Sequence, residues 1–107
     1  MTLHSSIATV ATTNASRYLQ QLCKHWEHNL TVEFDANHGR VMFPRNARGE
    51  EWPDDAQFTM TASPDTLTCQ IDASVSGQLQ GLKGAVERHL NRFAFREGEL
   101  AFDWTDA

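Results

Sequence analysis

Four stretches between Leu30 and Ala73 alternate apolar and polar residues almost one for one. In "LTVEFD", Leu30, Val32 and Phe34 point one way while Thr31, Glu33 and Asp35 point the other. "RVMFP" puts Val41 and Phe43 inward, and "QFTMTA" does the same with Phe58, Met60 and Ala62. "TLTCQIDA" turns Leu67, Cys69, Ile71 and Ala73 inward and its threonines and Gln70 outward. Successive strand side chains point to opposite faces, so this two-residue period marks strands with one buried face. Antiparallel sheets tolerate water on their other face, which parallel sheets do not. Between the first two strands, "DANHGR" supplies turn residues, with Asn37 and Gly39 tolerating positive φ, and the pair forms a hairpin. "RNARGEEWPDDA", Arg45 to Ala56, is a polar loop around Trp52–Pro53, and "SPD" turns the chain into the last of the four.

A sheet with one apolar face needs a cover, and two amphipathic stretches provide it. Ala15, Leu19, Leu22 and Trp26, with Tyr18 beside them, make the stripe of a helix over about residues 14–27. Thr13 or Asn14 is placed to cap its first turn. Val75, Leu79, Leu82, Val86, Leu90 and Phe93 stripe a second helix from about Ser74 to Phe95. "SIATVAT", Ser6 to Thr12, is a β-branched strand ahead of the first helix, and Leu100, Phe102 and Trp104 alternate in "ELAFDW" as a last strand. The order β-α-β-β-β-β-α-β predicts a two-layer α+β fold, a mostly antiparallel sheet with both helices on one face. With 107 residues the chain is expected to form one domain, residues 1–107. A chain of this length buries roughly 65% of its unfolded surface, enough for one core.

A net charge of −5 argues against general nucleic-acid binding, which is usually marked by a basic excess. No long apolar run follows a basic start, and no stretch approaches the roughly 20 apolar residues of a membrane span. The two cysteines, Cys23 and Cys69, lie far apart without framework spacing. They are expected to be reduced thiols of a cytoplasmic protein, with a disulfide as the lesser alternative.

The densest chemistry is in "RYLQQLCKHWEH", Arg17 to His28. Cys23 and His25, two apart on a helix, point in nearly opposite directions and cannot share a metal. His25 and His28 can share a face, but tetrahedral zinc wants three or four ligands. The others would come from His38, His89 or a carboxylate. The alternative is that His25 bonds locally and His28 complements the helix dipole. Cys23 follows Leu19 by four residues and leans to the core, near the helix end that disfavours a thiolate. Cys69 belongs to the core pattern. No G-x-S-x-G, Gly-rich phosphate loop or H-E-x-x-H occurs. Trp52 is either a partner anchor or a cover for a core edge. Gly77, Gly81 and Gly84 lie opposite the second helix's core stripe, either tolerated there or admitting another backbone such as a dimer mate. Arg88, Arg92 and Arg96 step by four along the same helix with His89 beside them. This basic edge either complements the helix dipole or meets an anion.

The segments "RYLQQLCKHWEHN…VEFDANHGRVMF" and "LKGAVERHLNRFAFREGELAFDW" resemble a family of small bacterial proteins, domain of unknown function 2218, from about Ile7 to Trp104. That resemblance implies a context in which such domains stand alone, or fused or neighbouring to flavin-binding siderophore-interacting ferric reductases. The expected function is therefore a non-enzymatic accessory domain of bacterial iron-siderophore handling, without a cofactor of its own. It would recognise a partner reductase or an anionic ligand through Arg88, His89, Arg92, Arg96 and Trp52. The alternatives are a small metal- or haem-handling protein using His25, His28 and His89, and a structural domain that forms a homodimer.

Overall fold

A computed structural model describes residues 4–46 and 51–106. In chain order the elements are β1 (His4–Ala11), α1 (Ala15–Trp26), β2 (Thr31–Phe34), β3 (His38–Phe43), β4 (Ala56–Ala62), β5 (Thr66–Ala73), α2 (Ser76–Phe93) and β6 (Thr105–Asp106). The strands form one six-stranded sheet in the order β2-β3-β4-β5-β1-β6, and every pairing is antiparallel. The architecture is the expected two-layer α+β fold.

Alternation sets the register. Phe58 lies opposite Val41 on one side and Ile71 on the other, and all three are buried. One position along, Thr59 sits between Arg40 and Gln70 on the open face. The helices close over the apolar face, α1 across β2 to β5 and α2 across β5 and β1. Leu19, Leu22 and Trp26 of α1 and Leu82, Val86 and Leu90 of α2 are all buried there. Trp26 stands edge-on to Phe43 and Phe58, with ring centroids 5.1 and 5.9 Å away.

Four expectations are corrected. "ELAFDW" is not a strand. The amide of Leu100 donates to Asn91 Oδ1 at 2.7 Å, and the Trp104 indole donates to Glu87 Oε2 at 3.3 Å. The segment thus follows α2, and only Thr105–Asp106 reaches the edge of β1, opposite Ile7 and Ser6. Its apolar residues still share a side, with Leu100 buried and Phe102 stacked on Trp104.

Second, neither Thr13 nor Asn14 caps α1 with its side chain. Thr12 Oγ1 accepts from the Asn14 amide at 3.1 Å instead.

Third, the β2–β3 turn closes earlier than Gly39. Asp35 Oδ1 accepts from the amides of Asn37 and His38, each at 2.8 Å, so β3 already begins at His38. Gly39 is in the strand, and among the described residues Gly98 (φ 82°) is the positive-φ glycine.

Fourth, α2 is shorter than Ser74–Phe95. Gln78 Oε1 accepts from the amide and hydroxyl of Ser74 and holds it outside the helix. Part of the Arg45–Ala56 loop, residues 47–50, lies outside the described residues.

Candidate functional site

The C-terminal turn of α1 and the middle of α2 converge on the end of β3. His25, Trp26, Asn29, Leu30, Phe43, Pro44, Asn46, Ala85 and His89 line a cleft of about 550 Å3 there. Trp26, Phe43 and Ala85 are buried and make its floor, while His25, Asn29 and Asn46 are exposed at the rim. The rings of His25 and His89 meet across the two helices, with centroids 5.2 Å apart. His89 also lies 5.1 Å from Trp26, and His25 stands edge-on to Phe93 at 6.4 Å.

His89 is oriented by its own helix. Its Nδ1 lies 2.6 Å from the carbonyl of Ala85, which can only accept, so Nδ1 carries the proton. That contact holds the ring against Trp26, on the side of α2 that faces α1.

The cleft joins His25 of α1 to His89 of α2, a pair separated in sequence by the four strands β2 to β5, rather than to His28. His28 is exposed beyond the end of α1 and does not line the cleft. His38 is exposed at the start of β3, 3.9 Å from an Asp35 oxygen. Among the described residues no group of three or more His, Cys, Asp or Glu comes close enough to hold a metal ion. Burial pushes the Cys23 thiol up to about 11, with Glu27 adding to the effect. Burial likewise pushes Cys69 up to about 12. Neither thiol has the depressed pKa of a nucleophile.

Arg88 and Arg92 are exposed along one flank of α2, and Arg96 lies just past its end. The Arg88 guanidinium folds back over Gly84, where an added Cβ would stand 2.9 Å from Nη1. Arg96 lies over the ring of Phe95, 5.7 Å from its centroid. That phenylalanine escaped the periodicity argument, since it falls one step past the stripe, yet it is 71% exposed. Trp52 folds back on the protein, so that a Cβ on Gly77 would meet its Cζ3 at 3.3 Å. Gly81 has open space beside it.

A second polar cluster gave no sequence signal, because its members are 79 to 85 residues apart. The turn after α2 brings Glu97 to the start of α1. There its carboxylate accepts from Thr12 Oγ1 at 3.0 Å, from Asn14 Nδ2 at 3.1 Å and from the Tyr18 hydroxyl. The bond from Tyr18, then those from Asn14 and Thr12, lower the Glu97 pKa. Burial first, and then Glu97, raises that of Tyr18. A carboxylate at a helix amino terminus also suits the dipole there.

The layered sheet, with its cleft between two helices, is the architecture of a small α+β domain with a candidate binding site. The chain belongs to the bacterial family described as "Uncharacterized protein conserved in bacteria (DUF2218)", which matches residues 7–105. It is also similar to the NMR structure of PA4090 from Pseudomonas aeruginosa, with 27% sequence identity, 94% of each chain covered and a TM-score of 0.72. No protein of curated function matches it.

Proposed function

We propose that this chain is a non-enzymatic binding domain of bacterial iron-siderophore handling, docking on an acidic surface of a flavin-dependent reductase or on an anionic ligand. The observation that carries the reading is Phe95, exposed with the Arg96 guanidinium over its ring, on a chain of net charge −5. An exposed aromatic ring paired with a guanidinium group is the composition of an interface anchor. Arginine suits bidentate contact with carboxylates. Dipole complementation fades within a turn and does not account for Arg88. The siderophore context comes from the family resemblance.

The test is titration of a ferric-siderophore reductase, and separately of a ferric siderophore, with wild-type protein and the Arg88→Gln/Arg92→Gln double variant. Binding is expected to weaken with added salt and to fall at least tenfold in the variant at unchanged Tm. Equal affinity and equal salt dependence for both proteins would remove the arginine flank from the account.

The meeting of His25 and His89 favours a second reading, a metal- or haem-handling protein. Its test is metal analysis and visible absorbance of the purified protein, repeated on His25→Ala. Stoichiometric metal or chromophore lost in that variant would favour it over docking.

A further inference from the structure

We infer that the cleft between α1 and α2 is a small-molecule site for a planar aromatic carboxylate of one or two rings, separate from the arginine flank. Three observations converge on that class. A volume of about 550 Å3 falls in the range of small-ligand pockets and leaves room for such a molecule. The floor is aromatic, with Trp26 held in place by Phe43 and Phe58, so a flat ring meets a rigid surface. Aromatic rings favour offset or edge contacts at centroid distances of about 4.5–7 Å, which His25, Trp26 and His89 already show among themselves.

The polar part of the wall sets the charge. Its side chains are two imidazoles, His25 and His89, and two primary amides, Asn29 and Asn46. Among the described residues that line the cleft none is a carboxylate, although the chain carries 14 Asp and Glu against 9 Lys and Arg. A cationic ligand would find no counter-charge there, whereas a carboxylate can accept from the side-chain amides of Asn29 and Asn46 and from a ring N–H of His25, the Nδ1–H of His89 being already given to Ala85. The negative end of the α1 dipole, which disfavours an anion, is partly met there. The Trp26 carbonyl is already engaged by the amides of Asn29 and Leu30, at 3.1 and 2.9 Å.

The experiment uses the whole chain and 1-naphthoate as probe, followed by amide and indole NMR shifts and by calorimetry. Saturable binding is expected with a Kd of about 1 mM or tighter, the range for a ligand of this size. The shifted signals should be the Trp26 indole and the side-chain amides of Asn29 and Asn46. 1-Naphthalenemethanol, which lacks the charge, and decahydronaphthalene-1-carboxylate, which lacks the flat ring, should each bind at least fivefold more weakly. Asn29→Asp, an exposed substitution that places a carboxylate at the rim, should weaken naphthoate at least tenfold at unchanged Tm. Four outcomes overturn the inference: no saturable shift, shifts confined to Arg88, Arg92 and Phe95, equal affinity for the uncharged or saturated probe, or full affinity in Asn29→Asp. Loss of reductase docking in the Arg88→Gln/Arg92→Gln variant bears on the flank alone, and naphthoate binding should survive it.

Discussion

Gly39 of β3 lies directly beneath Cys23 of α1: a Cβ on Gly39 would stand 2.8 Å from the Cys23 sulfur and 3.2 Å from Leu19 Cδ2. The missing side chain lets the helix settle onto the sheet. Gly39→Ala is expected to destabilise the protein by about 1–3 kcal/mol, the range for overpacking a filled core. Its smaller unfolded-state entropy offsets about 0.4–1 kcal/mol of the steric term. Cys23→Ala removes the clashing atom, so the double variant should lose less than the sum of the singles. Urea denaturation of the four proteins measures the coupling. Additive losses would mean that the sulfur is not what Gly39 accommodates.

The same packing governs the chemistry of Cys23. At a pKa of about 11 against an ordinary 9.0, its thiolate fraction at neutral pH falls by about 100-fold. Thiol-reagent labelling of the folded protein at pH 8 should therefore be at least about 100-fold slower than in 8 M urea. A folded-state rate matching the unfolded one would place the sulfur at the surface.

Glu97 predicts a shape for stability against pH. Its folded pKa is depressed, chiefly by the Tyr18 hydroxyl. Its contribution is thus present above the ordinary glutamate value of about 4.3 and is lost as pH falls through the lower folded value. Tyr18 has the opposite sign. Its pKa is raised, chiefly by burial, so its contribution is present below the ordinary tyrosine value of about 10 and is lost as pH rises through the higher folded value. Thermal melts of wild type and Glu97→Gln should differ most between about pH 6 and 9 and converge in strong acid. A constant difference down to about pH 2 would show that the carboxylate charge is not what the cluster uses.

The last segment is held along α2 by side chains. Lys83, nearly buried, places its Nζ 2.7 Å from Asp106 Oδ1 and 5.9 Å from the Trp104 ring centroid. Trp104→Ala removes the ring that stacks on Phe102 and lies under Lys83. It should lower stability by about 1–3 kcal/mol and speed hydrogen exchange at Leu100 and Thr105 well before the β5 amides. Unchanged exchange at those two amides would show that the segment is held by other contacts.

The apolar alternation of residues 30–73 and the two helical stripes determined the element order, the buried face of every strand in that stretch and the helix faces that cover it. These follow from local periodicity, because a side chain's direction depends on its position along its own strand or turn. Leu22 and Val86 are buried for that reason, and Cys23 and Cys69 with them. Strand order, the end of β6 and both polar clusters depended on tertiary structure. His25 meets His89, and Glu97 meets Tyr18, only because α1 and α2 lie side by side on one sheet face. Leu100, Phe102 and Trp104 alternate as a strand would, but the Asn91 and Glu87 side chains take hydrogen bonds from the segment, which leaves two residues to pair with β1. A periodic pattern states which way a side chain points. It carries no information about which distant donor or ring stands there to meet it, since that is decided by how the layers pack.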